Sequence, residues 1–434
     1  MIKKRFLSML VLLAAVATGA MAQTTYKVSV KEGTEDANKW EIAPAEATTA
    51  GVAAGTTVTA TYNGTKKVKS VKAVKKVVVD LSMVDCAGAA RLDGQWTANC
   101  YMVHTAGDYK LPLVYGNAIK AGQTNTAAYT GVSGQLETFP RHDGSAITGP
   151  WIKDNSITVI QTELLWQDAE GLVTAVGISG DYLTLTVGKD ATEQEGNAVV
   201  AAKDADGNIV WSWHIWVTKQ TFAAADLATV STGSHDYQLT PVNLGWVGDA
   251  VSQGYNTYYQ WGRKDPFTHT GSVTYTTSSA TIADNIKNPT TFYNVSNYPN
   301  TSTANNLWDA QQTSTDGNIA TATVKTVYDP CPAGFCVPTD NLYNYIGGQA
   351  ATWDNTNKGR TLTFVSPNVF FPVAGQRQNT SGLYGVGGTG YYWSASPKSS
   401  SLVHALGLWS WGGGIGWQYY DRAYGFCVRP VAEE

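Results

Sequence analysis

The sequence has little charge. Only 15% of its 434 residues are Asp, Glu, Lys or Arg, against about 25% in an ordinary soluble domain. There is no basic surplus: 30 basic side chains face 34 acidic ones, a net −4. Phosphate-seeking proteins carry a clustered positive excess, so no nucleic-acid partner is expected. Catalytic signatures are missing as well. The six histidines, at 104, 142, 214, 235, 269 and 404, are scattered and none forms His-Glu-x-x-His. No Gly-x-Ser-x-Gly elbow and no phosphate-cradling Gly-x-x-x-x-Gly-Lys occurs. The cysteine spacings fit no zinc pattern. From Tyr237 onward the only glutamates are Glu433 and Glu434. These absences argue against an enzyme, and neither a cofactor nor a metal is expected. Long apolar runs are confined to Phe6 to Gly19, which is too short to span a bilayer with margin.

That run has a setting. Met1-Ile2-Lys3-Lys4-Arg5 is a basic start, and Ala20-Met21-Ala22 puts small residues at both recognition positions. Residues 1–22 therefore read as a signal peptide cleaved before Gln23, with no cysteine at the cleavage point to accept lipid. The mature chain would carry 27 basic and 34 acidic side chains, a net −7, and no transmembrane segment. Export to the cell surface or outer membrane, by way of the periplasm, is the expectation.

Five cysteines follow: Cys86, Cys100, Cys331, Cys336 and Cys427. An odd number in an exported chain leaves one thiol unpaired or shared between chains. Gly334-Phe335-Cys336-Val337 and Gly425-Phe426-Cys427-Val428 are near twins, and both read as strands. If they pair, Cys336 and Cys427 can bridge, with Cys331 the competitor. Cys86 and Cys100 can close a local loop.

Turn signals and period-2 alternation divide the rest. Residues 23–79 form a small β module, in which Thr57 to Tyr62 is a strand leading to an Asn63-Gly64 hairpin turn. Residues 80–222 read as an immunoglobulin-like β-sandwich. There, Leu164 to Gln167 and Leu172 to Val176 flank a hairpin turn, as do Ala198 to Lys203 and Ile209 to Thr218. In the last strand Ile209, Trp211, Trp213, Ile215 and Val217 share a core face, with His214 and Trp216 turned away. Asp204-Ala205-Asp206-Gly207-Asn208 begins like a calcium loop but lacks the later acidic ligand, so it reads as a plain turn. Thr221 to Ser234 reads as a linker. Residues 223–434 form a third domain of short strands and long loops, with a helix over Asp340 to Gly347 and a long surface loop over Thr274 to Thr303.

What the chain has in excess is aromatic rings: 15 Trp, 23 Tyr and 10 Phe. They concentrate at Trp409, Trp411, Trp417, Tyr419 and Tyr420. Trp409 and Trp411 share a face if extended, and Trp417 and Tyr419 share one on the return after Gly412-Gly413-Gly414. Flat, weakly charged rings suit stacking on sugars or burial against a protein, and these five are the candidate ligand-binding residues. The competing reading is that they pack the domain's own loops, which have few aliphatic residues.

The third domain also carries four ordered motifs. These are Tyr328-Asp329-Pro330-Cys331-Pro332-Ala333-Gly334-Phe335-Cys336-Val337-Pro338-Thr339, Phe371-Pro372-Val373-Ala374-Gly375, Gly390-Tyr391-Tyr392-Trp393-Ser394-Ala395-Ser396, and Arg422 to Val431. Together they resemble the Fibrobacter succinogenes major paralogous domain family. The resemblance implies a C-type-lectin-like α+β domain, rich in loops, with its first and last strands paired. It also implies an exported surface protein of Bacteroidetes or relatives, some of which accompany fimbriae as tip subunits. The calcium-lectin motifs are absent, since Trp353-Asp354-Asn355 has the wrong order, so no calcium–sugar site is carried over. The expectation is a mainly β, non-catalytic adhesin at a fimbrium or pilus tip, with a glycan or protein ligand and fimbrial subunits as partners. The alternatives are a structural pilus subunit and a carbohydrate-active enzyme or its accessory module. The enzyme would need carboxylates such as Asp309, Asp340 and Asp421 to converge.

Overall fold

The computed structural model describes residues 78–248, 256–269, 273–295, 298–299, 304–312, 323–378, 382–410 and 414–434, preceded by the backbone of six strands between 7 and 76. The protein is mainly β, with 40% strand and 8% helix distributed over several sheets. No helix among the described residues is long and apolar enough to cross a membrane. The chain divides into two compact units, residues 1–80 with 107–110, and residues 81–106 with 111–434.

In the first unit Thr57–Tyr62 is the central strand of three. Leu7–Leu12 and Trp40–Ala43 pair antiparallel on either side of it. Leu7–Leu12 lies within the segment read as a leader. The expected cleavage point and the Asn63-Gly64 turn lie outside the described residues. A second sheet orders Val52–Ala53, Thr25–Val28 and Ala73–Lys76. Val78–Asp80 then runs parallel to residues 108–110.

The second unit holds a sheet ordered Gln161–Gln167, Gly196–Lys203, Ile209–Val217 and Cys100–Val103. Gly196–Lys203 and Ile209–Val217 form the expected hairpin, and its Asp204 carboxylate accepts the Asp206 and Asn208 amides of its own turn. The other expected hairpin does not form. Gln161–Gln167 pairs with Gly196–Lys203, and Val173–Ser179 pairs with Tyr182–Val187. The Asp168 turn instead leads from one sheet to another. Its carboxylate is taken by the Asn197 amide, at 2.6 Å, and by Asn197 Nδ2, at 2.8 Å.

Trp211, Trp213, Ile215 and Val217 are buried as expected, but so are Ser212, His214 and Trp216. The second face is covered by later segments of the chain. Ser212 Oγ donates to Asp265, His214 meets the Tyr259 hydroxyl, and Trp216 Nε1 donates to the Trp246 carbonyl. A strand buried on both sides loses its alternation, because every position is selected for fit.

Thr221 to Ser234 is not only a linker. Ala228–Ser231 is a strand with Ala228 and Val230 inward and Thr229 and Ser231 outward. It pairs with Asp236–Leu239, which neighbours Val431–Ala432, which in turn neighbours Phe335–Cys336. Nor is Thr274 to Thr303 all loop. Thr274–Thr276 and Thr291–Tyr293 pair in parallel around the helix Ile282–Lys287. That helix opens on a capping box, in which Thr281 and Asp284 each satisfy the other's backbone amide. Asp340–Gly347 is helical as expected.

Buried arginines hold the loops between these short elements. Arg429 donates to the carbonyls of Thr240, Pro241 and Phe370 and to Asn243 Oδ1. Arg263 donates to the carbonyls of Thr291, Asn288 and Pro289. A guanidinium has five donors in a fixed fork, so one side chain can satisfy several irregular carbonyls at once.

Candidate functional site

The aromatic cluster is built on a meander of three antiparallel strands, Thr389–Pro397, Leu402–Trp409 and Ile415–Asp421. Its register decides which rings share a face. Tyr391 opposes Gly407, and Gly407 opposes Gly416; Val403 opposes Tyr420. One face therefore carries Tyr391, Trp393, Trp409, Gln418 and Tyr420. The other carries Tyr392, Leu406, Leu408, Trp417 and Tyr419. The five candidate rings do not form one patch. Leu408 pairs with Ile415, so Trp409 and Trp417 fall out of phase and project to opposite sides. Trp411 lies outside the described residues.

The Trp417 face is covered by the Asp340–Gly347 helix, whose end approaches so closely that a Cβ on Gly347 would lie 2.8 Å from the Trp417 amide nitrogen. Trp417 stacks on His404, with ring centroids 4.4 Å apart and planes inclined by 9°. Behind it, His404 Nε2 stands 3.9 Å from Asp340 Oδ2. Trp417 also packs on the main core cluster, so its role is structural. Tyr419, at the outer end of the strand, is 54% exposed. On the opposite face Tyr420 packs edge-on against Tyr391 and Phe426, at 5.0 and 5.2 Å.

On that face Trp409, like Tyr420, is half-buried. Its six-membered ring lies over two glycines. A Cβ on Gly407 would come within 2.7 Å of it, and one on Gly416 within 3.4 Å. Gln418 is exposed beside it on the neighbouring strand. The end of the Trp409 strand is held by Arg360. Arg360 Nη2 donates to the Trp409 carbonyl at 3.0 Å, and Nη1 to the Ala351 carbonyl at 3.2 Å. The same guanidinium sits 5.5 Å over the Trp353 ring. Gly414 takes φ +74°, and any Cβ there would collide with Arg360. Arg360→Ala is expected to raise amide exchange across residues 407–416 about tenfold while costing roughly 1–2 kcal/mol of global stability. Hydrogen-exchange mass spectrometry beside a denaturant melt checks both.

The sequence brought Trp409 forward but missed its support. Arg360 sits 49 positions away on the strand Gly359–Leu362, with no local signal of its task. The alternation Gly407-x-Trp409 was the available sign that a ring lies on a flat bed.

The other expected site residues lie apart from it. All five thiols are buried and free. The twin segments do not pair with each other. Phe335–Cys336 pairs with Val431–Ala432, whereas Gly425–Phe426 pairs with Tyr259–Gln260 and with Arg377. Cys336 and Cys427 nonetheless belong to one core cluster, and Cys86 and Cys100 line the same small cavity. Burial pushes the Cys86 and Cys427 thiols up to about 12, so these are poor nucleophiles as they stand. The three carboxylates named above have separate partners. Asp309 accepts the Val324 and Gln311 amides, Asp340 faces His404, and Asp421 accepts the Ala423 amide. Among the described residues no group of His, Cys, Asp or Glu is arranged to hold a metal ion. Compared with known proteins, the chain matches no family model, no curated protein and no solved structure.

Proposed function

We propose that this chain is an exported, non-catalytic surface adhesin, tip-like or fimbria-associated, whose residues 223–434 present an aromatic face to a glycan or protein ligand. The observation that carries the reading is the Trp409 ring, partly exposed over Gly407 and Gly416 with Gln418 beside it. An aromatic plane with an adjacent amide is a common way to hold a weakly polar ring or side chain. The leader-like N-terminus, the low charge and the four motifs resembling the Fibrobacter succinogenes family support the same reading. So does the sheet in which Asp236–Leu239, an early strand of the region, neighbours its last strand Val431–Ala432. In the preceding region, the four-stranded sheet and the separate pair Val173–Ser179 and Tyr182–Val187 suit an immunoglobulin-like sandwich.

The test is a glycan and host-protein array probed with the full chain and with Trp409→Ala. Binding that falls at least about tenfold in Trp409→Ala, and less than about threefold in Tyr419→Ala, is expected. Absence of any binding by the folded wild-type chain overturns the reading.

A further inference from the structure

A cleft of about 200 Å³ opens in the region before residue 223, far in sequence from Trp409. Its walls include Trp151, Lys153, Ile157, Val159 and Asp181, with Leu113 at its base. Both walls are tied to Leu113. The Leu113 amide donates to the Asp181 carbonyl at 2.9 Å, and the Leu113 carbonyl accepts from the Ile152 amide at 3.0 Å. The turn bearing Trp151 and Lys153 is fixed by buried Asn155, whose Nδ2 donates to the carbonyls of Gly149 and Trp151 and whose Oδ1 accepts the Thr148 amide. The cleft is therefore preformed, which spares a ligand the ordering cost of building it.

At the rim, Lys153 Nζ donates to Asp181 Oδ2 at 2.5 Å, and both side chains remain about half exposed, at 55% and 47%. Trp151 is half-buried, with Lys153 Nζ 5.4 Å from its ring centroid. Thr158 adds a hydroxyl to the lining. This combination selects a chemistry. An anion would be drawn to Lys153 and repelled by Asp181, and a cation the reverse. A neutral polyol meets no repulsion, since one hydroxyl can accept from the ammonium while its neighbour donates to the carboxylate. The aromatic and aliphatic walls suit the C–H faces of a six-membered ring. The volume suits one such ring.

We propose that this cleft is a binding site for a single neutral pyranose unit, separate from the Trp409 face. Trp151 supplies the stacking wall, and the Lys153–Asp181 pair supplies the donor and the acceptor. A site of this size on a preformed scaffold is expected to bind one ring with a Kd of about a millimolar.

The experiment is saturation-transfer NMR on the full chain with methyl glycosides of glucose, galactose, mannose and N-acetylglucosamine, with inorganic phosphate as an anionic competitor. Saturable transfer to at least one glycoside is expected. Measured in a Trp409→Ala background, which removes any contribution of the other face, the affinity should fall about tenfold in Trp151→Ala and in the near-isosteric Asp181→Asn, and stay unchanged in the presence of phosphate. Loss in Trp409→Ala alone would assign the sugar to the other face and overturn this site. So would no saturable transfer to the folded wild-type chain, transfer that survives both cleft variants, or displacement by phosphate. Because the two faces are read by different variants, failure here leaves the Trp409 reading standing, and failure there leaves this one.

Discussion

Replacing Lys325 with methionine is expected to lower the unfolding free energy by about 3–5 kcal/mol. The ammonium is fully buried. It donates to the carbonyls of Cys331, Pro332 and Phe335, at 2.7, 2.8 and 2.6 Å. Asp329 Oδ1 lies 3.4 Å away and Glu433 Oε1 3.9 Å away. Burial opposes the charge, but Asp329 and Glu433 outweigh it and hold the lysine above its ordinary range. Methionine fills much of the same volume, so the loss is electrostatic rather than a cavity. It would take a donor from three carbonyls, of which that of Pro332 keeps the Phe335 amide, and leave the Asp329 carboxylate buried without its cation. Urea melts check this, with a shifted midpoint and an unchanged slope. The comparison is Lys287→Met, where the lysine is 40% exposed and 3.6 Å from Asp284. That variant should change stability by no more than about 0.5 kcal/mol. A Lys325→Met midpoint equal to wild type would show that the pair adds nothing over an apolar side chain.

The same cluster shows how much of the fold was legible. The motif Tyr328 to Thr339 stood out in the sequence, and the structure gives a reason for its aspartate. Asp329 Oδ1 accepts the Cys331 amide and Oδ2 the Val337 amide, so one carboxylate pins both ends of the irregular segment. Lys325, which satisfies the segment's carbonyls, lies outside the motif and reads as an ordinary surface lysine. The β character, the Gly196–Val217 hairpin and the Asp340–Gly347 helix follow from local periodicity and turn chemistry. Partner choice between strands does not, because it depends on contacts made far along the chain. The Asp168 turn fitted a hairpin by residue type, yet its carboxylate is engaged by Asn197. Likewise the aromatic residues after Leu402 were legible as a concentration. Their division between two faces was not, since it rests on one register, Leu408 opposite Ile415.

Asp309→Asn is expected to stabilise the protein by about 2–3 kcal/mol at pH 7.5 and to change little at pH 4. Asp309 is 2% exposed, and burial pushes its carboxyl up to about 6, even though the Val324 and Gln311 amides favour the ionised form. The unfolded chain releases this proton near the ordinary aspartate value of about 3.9. The folded carboxyl thus holds its proton more tightly than the unfolded one. Its contribution to stability is fully present below about pH 4, is lost as pH rises through 6, and leaves a net cost above that. Asparagine removes the charge but keeps the oxygen, and both amides already donate to Oδ1. Asp340, with no exposed surface and a carboxyl also raised to about 6 by burial, behaves in the same sense. Its gain on replacement should be smaller, because Asp340→Asn weakens the approach to His404 beneath Trp417. The informative quantity is the stability of each variant minus wild type across pH 4–8, since the difference cancels the carboxyls that the two chains share. Asp143, held down near 2 by Arg141 and Ser145 despite some burial, is among those that cancel. A difference curve that rises between pH 4 and 6 and then levels off carries the argument. A flat curve would mean that Asp309 ionises in the folded state as it does in the unfolded chain.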